Sequence, residues 1–407
     1  EMPSGVDANG KPRVCRVVKP IYGIPQSGRR LQRRIFPWMI SQGLTQLDDS
    51  DGTVFVLRDS PTGEKFACGI YVDNLQIVYS ADPDDDSSFY CKFLKALDND
   101  WEIVDEGPTE DLLGIQIERV GESSIKLHQT KYVDKLIDEY FPNGLPSDIT
   151  KSTLPYDAHL PQQVLDAVGD GSQPCAFPEL IKPYQARIGK LLYLANCTRP
   201  DITYAVAQLS RALVKPTPEL MRATDRILVY LSRHRELGLT YDAKPATDPS
   251  TFADASWETR HSTSGWVIFY QTAAISYGST KQKSIALSSC EAEIIALSEA
   301  TKDTIFVRKL VAGLEGAPLS NPTAVHTDSK SGRDVAFNPE HFGRMKHVER
   351  RHFFVRDMVE KMEVTVPLVK TTENWADFFT KPLKCRAQFF AMRDVIMNVA
   401  HGNEATA

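Results

Sequence analysis

Apolar and polar positions repeat with two different periods along this chain. Residues 130–141 (TKYVDKLIDEYF) place apolar side chains at helical spacing and predict an amphipathic helix. The same period predicts helices over 184–196, 202–213 and 220–234, with Pro200-Asp201 as the start of the second and Asp201 near its cap. Between 66 and 80, two β-rich runs (FACGIYV and LQIVYS) flank Asp73-Asn74. That is a hairpin signal, because both residues tolerate the left-handed backbone of a tight turn. From about 246 onward the two periods mix. Strands are expected at 251–252, 265–270, 273–277, 324–327 and 364–369. Helices are expected at 287–314, 352–362 and 375–380. Such a mixture predicts one mixed sheet flanked by helices. Residues 142–183 carry seven prolines and no clear period, which reads as a linker.

Composition narrows the class. With 407 residues, 42% hydrophobic and 25% charged, the chain is globular for most of its length and long enough for two or three domains. No apolar run reaches the roughly 18 residues of a membrane helix, and no secretory leader is read. The seven cysteines are scattered without a CxxC pair, which predicts reduced thiols in a cell interior and no zinc site. Glu1 in place of Met suggests a piece of a longer product.

The net charge of −6 argues against a nucleic-acid partner when taken as a sum. Its distribution argues otherwise. Residues 11–34 hold Lys11, Arg13, Arg16, Lys19, Arg29, Arg30, Arg33 and Arg34 with no acid among them. A solvated helix face is the usual meaning of a charge run. Eight cations in an acidic chain point instead to a phosphate-binding surface. Arg344, Lys346, His347, Arg350 and Arg351 form a second cluster, for which a solvated helix end and a duplex contact weigh equally.

Four acids stand out by position. Asp254 follows an expected strand, and Asp328 ends another. Glu293 precedes by three residues a helical stripe of Ala296, Ala300, Val307, Leu310 and Leu314. Asp377 opens the short helix after Trp375. An acid on a core-facing stripe is costly unless a cation compensates it. Singly, each has a plainer meaning: Asp328 as an N-cap, Asp377 as a first-turn charge, Glu293 as an outward-facing residue. Spacing does not show that they converge. If they do, they repel one another unless neutralised. Two Mg²⁺ or Mn²⁺ ions about 4 Å apart would then suit phosphodiester hydrolysis. Asp73 has the same two meanings, a turn former or a rigidly held carboxylate, and its local sequence favours the first.

Several segments, in order, resemble the C-terminal part of Ty1/copia-type retrotransposon Pol polyproteins over nearly the whole length. Tyr22 to Arg29 (YGIPQSGR) is similar to the family's YGLKQAPR, which places Gln26 in a template and nucleotide contact. Tyr71-Val72-Asp73-Asn74 resembles YVDD, and Leu113-Gly114-Ile115 resembles LGI. Leu191 to Ala195 with Thr198 to Ile202 resembles LLYLA…TRPDI, and Ser262 to Gly265 resembles STSG. Leu287-Ser288-Ser289 with Glu291-Ala292-Glu293 resembles LSSxEAE. Lys346-His347, Ala376-Asp377 and Thr380 to Leu383 resemble KH and AD…TKPL.

This resemblance implies an α/β (α+β) chain: a partial reverse-transcriptase palm and thumb (1–145), a linker (146–183), a helical connection (184–245), an RNase H-like mixed-sheet domain (246–390) and a tail (391–407). It implies a nuclease cutting the RNA strand of RNA/DNA hybrids, with Asp254, Glu293, Asp328 and Asp377 as catalytic ligands of two Mg²⁺ or Mn²⁺ ions. Arg29, Arg30, Arg344, Lys346 and His347 fall in the nucleic-acid-binding segments. The polymerase is expected to be truncated and inactive. The family's earlier catalytic Asp has no counterpart here, and Asn74 replaces the second Asp of YVDD. Ser256, Ser329 and Lys330 also depart from the family pattern, at positions not expected to bind metal. Integrase and protease motifs are not seen. A second Pol chain would be the source of the missing polymerase parts. The expected location is the cytoplasm or nucleus, or a virus-like particle if the element is active. The alternative is a decayed or co-opted element that binds nucleic acid without cutting it.

Overall fold

A computed structural model describes residues 25–101, 103–149, 154–169, 172–244, 248–257, 261–337 and 354–399. The first half of the basic block (Lys11, Arg13, Arg16 and Lys19) lies outside these residues, as do Arg344, Lys346, His347, Arg350 and Arg351. The chain divides into two units, 1–107 with 309–318 and 108–308 with 319–407. No helix among the described residues is long and apolar enough to cross a membrane. The six described cysteines are all free.

In the first unit, α1 (Pro25–Ser41) is followed by a four-stranded antiparallel meander of β1 (Leu44–Leu47), β2 (Asp51–Leu57), β3 (Phe66–Tyr71) and β4 (Asn74–Tyr79), then by α2 (Phe89–Asp100). The fold follows from side-chain period. Ile35 and Met39, four residues apart, bury one face of α1 against Phe55, Phe66 and Phe93. Phe66, Cys68 and Ile70 alternate inward along β3. The chain is helical from Pro25, a residue suited to a helix start because its missing N–H has no partner there.

The second unit begins with another antiparallel sheet, β5 (Asp111–Leu112), β6 (Ile115–Val120), β7 (Ser124–His128) and, after five helices, β8 (Gly238–Asp242). The helices are α3 (Thr130–Tyr140), α4 (Leu160–Val168), α5 (Ile181–Cys197), α6 (Thr203–Ser210) and α7 (Pro218–Arg233). The stretch 142–183 is therefore more than a linker. It holds α4, whose Leu160 and Val164 enter the main core, and Tyr156, whose hydroxyl accepts a hydrogen bond from Leu383 N at 3.0 Å. Its prolines mask this because Pro161 sits in the first turn of α4, where proline is tolerated. Pro200 and Asp201 start the helix as expected, in a 3₁₀ turn over Pro200–Ile202 that leads into α6, and Asp201 has a further role. It is buried in a two-bond ion pair with Arg199 (2.9 and 2.7 Å) and accepts from the Tyr230 hydroxyl at 2.8 Å. A buried carboxylate needs such partners.

A five-stranded mixed sheet follows. β9 (Ser250–Ser256), β10 (Thr263–Tyr270) and β11 (Ala273–Lys281) are antiparallel. After α8 (Ser289–Glu315), β12 (Thr323–His326) runs parallel to β9. Then come α9 (Lys330–Phe337), α10 (Phe354–Glu360), β13 (Val364–Thr365), α11 (Asp377–Thr380) and α12 (Arg386–Met397). The order is β11-β10-β9-β12-β13. Val267 and Ala274 bury in the core that holds α5–α7 and α12, while Ala253 and Val325 bury with Leu297, Ala300 and Val355 in a second cluster. The stripe on α8 holds through Val307 and continues at Val311. Leu314 is exposed, contrary to expectation.

Candidate active site

The central strand β9 carries Asp254 inside the strand rather than after it, two residues before its end. Its parallel neighbour β12 pairs His326 with Phe252, so Asp328 emerges beside Asp254 at the same sheet end. Glu293 lies in the second turn of α8. A capping exchange fixes where that helix starts: Glu291 N donates to the Ser288 hydroxyl at 3.2 Å, and Leu287 N donates to the Glu291 carboxylate at 2.8 Å. One carboxylate oxygen from each of Asp254, Glu293 and Asp328 lies within 4.8 Å of the other two.

Asp377 arrives from α11, which packs against β10 at Gly265, the strand position opposite Asp254. A Cβ at residue 265 would fall 2.5 Å from Thr380 Cγ2 and 3.1 Å from Ala376 O, so only glycine allows this approach. Asp377 is buried beside Asp254 and outside the three-carboxylate group. Lys381, one turn further, holds Asp377 at 2.7 Å and reaches Asp254 at 3.9 Å. The Thr380 hydroxyl donates to Asp254. Asn374 Nδ2 donates to Asp328 at 3.2 Å and to Ala253 O at 3.1 Å, tying the two strand ends together.

The electrostatics follow from burial and like charge. Burial, then the neighbouring Asp254 and Asp328, push the Glu293 carboxyl up to about 9. Burial, then Asp254, raise Asp377 to about 7, with Lys381 acting against the shift. For Lys381, burial lowers the pKa, but the carboxylates around it prevail and raise it. Glu293 Oε2 is buried without a hydrogen-bond partner among the described residues. A divalent cation fits this arrangement. It would give that oxygen a partner and offset the repulsion, and an all-carboxylate donor set suits a hard ion.

The plainer meanings of the acids fall away one by one. Ser329, not Asp328, caps the start of α9, accepting from Gly332 N at 3.1 Å. Glu293 faces the other acids rather than solvent. Asp377 is too buried to serve merely as a surface charge at a helix start. Asn374, Thr380 and Lys381 were not singled out from the sequence as functional. The four-residue spacing of Asp377 and Lys381, which puts both on one helical face, was the available signal.

The other predicted site residues do not converge. Asp73 and Asn74 are exposed, and Asp73 belongs to no cluster of three potential metal ligands among the described residues. The hairpin loop is Val72-Asp73, with Asn74 already paired to Tyr71 in β4. Val72 takes φ +55°, a strained value for a β-branched residue. Gln26, Arg29 and Arg30 are exposed along α1.

No family model matches the chain. It is 30% identical over 94% of its length to the retrovirus-related Pol polyprotein from transposon TNT 1-94 of Nicotiana tabacum, covering 28% of that protein. It is 27% identical over 94% of its length to the corresponding polyprotein from transposon RE2 of Arabidopsis thaliana, covering 25%. The chain thus spans about a quarter of each. Among solved structures, the foamy viral protease-reverse transcriptase in complex with dsDNA has a TM-score of 0.42 at 13% identity, over 86% of this chain and 60% of that one.

Proposed function

The chain is a homologue of Ty1/copia-type retrotransposon Pol polyproteins over 94% of its length, and on that premise we propose that residues 246–390 form a metal-dependent ribonuclease H cutting the RNA strand of RNA/DNA hybrids. The observation that carries this reading is the convergence of Asp254, Glu293 and Asp328, with a buried Glu293 oxygen that has no other partner. These three, with Asp377 beside Asp254, would hold Mg²⁺ or Mn²⁺. Bound ions of this kind supply Lewis-acid stabilisation and lower the pKa of water.

The chain's own residues prepare that chemistry. Asn374 fixes the orientation of Asp328, and Thr380 fixes that of Asp254. Lys381 opposes the upward shift that burial and Asp254 impose on Asp377. Glu293 holds a proton at neutral pH, and its ionised form would be a ligand for the cation. The first unit is read as polymerase-derived and inactive, because Asp73 stands exposed, belongs to no cluster of three potential metal ligands among the described residues, and has Asn74, which brings no charge, beside it. A particle or another intracellular setting suits a Pol segment, and a second Pol chain remains the proposed source of polymerase function.

The test is cleavage of a hybrid with end-labelled RNA in Mg²⁺, alongside primer extension on the same duplex. Metal-dependent cutting of the RNA strand without extension is expected. Binding of the hybrid without cutting would identify a non-catalytic remnant instead.

A further inference from the structure

The segment leading from β11 into α8 turns alternate side chains outward. Lys281, Lys283, Ile285 and Leu287 are exposed, while Gln282 and Ala286 are buried. The segment past Lys281 forms no strand and bends at 283–284 and 287–288, and the alternation leaves it with one face held and one face presented. The held face is well anchored. Gln282 N donates to Ser262 O at 2.8 Å, and Gln282 Nε2 donates to the Ser264 hydroxyl and to Ala292 O, each at 2.9 Å. Trp257, which continues β9 three residues past Asp254, donates its indole N–H to Ala286 O at 3.1 Å. The indole is thereby fixed against this segment, yet it stays 53% exposed, beside Ile285 at 56% and Leu287 at 69%.

Position ties this ridge to the acid cluster. Ser256, Thr263 and Lys281 lie in one row across β9, β10 and β11, two residues beyond Asp254. At its other end, the segment runs into the helix that carries Glu293. Residues 281–290 contain no acid. The nearest, Glu291, is turned back onto Leu287 N. Among the described residues no carboxylate pairs with Lys281 or Lys283.

We infer that Trp257, Lys281, Lys283, Ile285 and Leu287 form a rigid ridge that seats one strand of a nucleic-acid duplex beside the acid cluster. The two ammonium groups meet phosphates, and the indole with its aliphatic neighbours packs against a sugar or base face. A polyanion with apolar rings and sugars is the chemistry that matches both halves of the ridge. Prior ordering of the indole lowers the entropy cost of binding. This inference rests on the hybrid-nuclease reading and adds a surface to it.

The test uses the full chain in EDTA, where cleavage is blocked, with a fluorescent RNA/DNA hybrid titrated at several salt concentrations. The double variant Lys281→Ala/Lys283→Ala should bind roughly tenfold more weakly at low salt and lower the salt slope by about two. Trp257→Ala should weaken binding by about tenfold with an unchanged slope, and Trp257→Phe should restore most of it. Lysine and tryptophan variants that bind like the parent, while the parent binds and cleaves hybrid, overturn the ridge and leave the nuclease reading standing. A parent chain that neither binds nor cuts hybrid overturns both.

Discussion

Two acid-bearing segments of this chain resemble catalytic motifs, and the structure treats them in opposite ways. The β3–β4 hairpin presents Asp73 at an exposed tip with no converging acid among the described residues. The mixed sheet buries Asp254, surrounds it with Glu293, Asp328 and Asp377, and braces the group with Asn374, Thr380 and Lys381. A carboxylate becomes a candidate metal ligand through company and burial, since these make an uncompensated charge costly. A motif without them is consistent with a turn.

The contrast is most severely tested by Asp328→Asn. It keeps the shape and the hydrogen bond from Asn374 but removes a charge. Hybrid cleavage should fall by roughly 100-fold or more, about 3 kcal/mol of transition-state stabilisation, with little change in Tm. Cleavage equal to the parent's would remove Asp328 from the site.

Gly265→Ala comes next. The added methyl would drive α11 away from β10, costing about 1–3 kcal/mol and moving Asp377 and Thr380 off Asp254. Calorimetry should show a lower Tm, and cleavage should drop with it. A variant as stable and active as the parent would mean that the close approach does not matter.

Metal binding and pH give a smaller effect. Glu293 is held at about 9 in the folded chain against an ordinary 4.5. Between those values the folded chain keeps a proton that the unfolded chain has released, so folding without metal weakens as pH rises through the window. Mg²⁺ binds the ionised form and relieves this. The Mg²⁺-induced rise in Tm should therefore be larger near pH 8 than near pH 5.5. A rise that ignores pH would exclude Glu293 as a ligand.

The smallest expected effect belongs to the hairpin. Asn74→Asp restores the family's charge, yet it should leave primer extension undetectable, because Asp73 belongs to no cluster of three potential metal ligands among the described residues. Measurable extension would erase the contrast between the two segments.

Much of the fold was legible because period reports directly on burial. The helices at α3, α5 and α7, the β10–β11 hairpin and the long α8 all sit where apolar spacing put them. The stretch 142–183 was illegible because prolines signal breaks whether or not the residues between them pack. Only the core contacts of Tyr156, Leu160 and Val164 reveal its part in the fold. The burial of Asp201 was illegible for a related reason. Its partner Tyr230 lies 29 residues away, beyond what local spacing shows.

By itself, the sequence determined the elements, the order of the motifs and which acids deserved attention, since these depend on neighbours along the chain. The tertiary structure alone decided that Asp254, Glu293 and Asp328 meet, while Asp73 joins no cluster of three potential metal ligands among the described residues. It also recruited Lys381 and Asn374, and required glycine at 265. Convergence is set by strand order and helix packing, which bring together residues more than a hundred positions apart, and neither composition nor period encodes that distance.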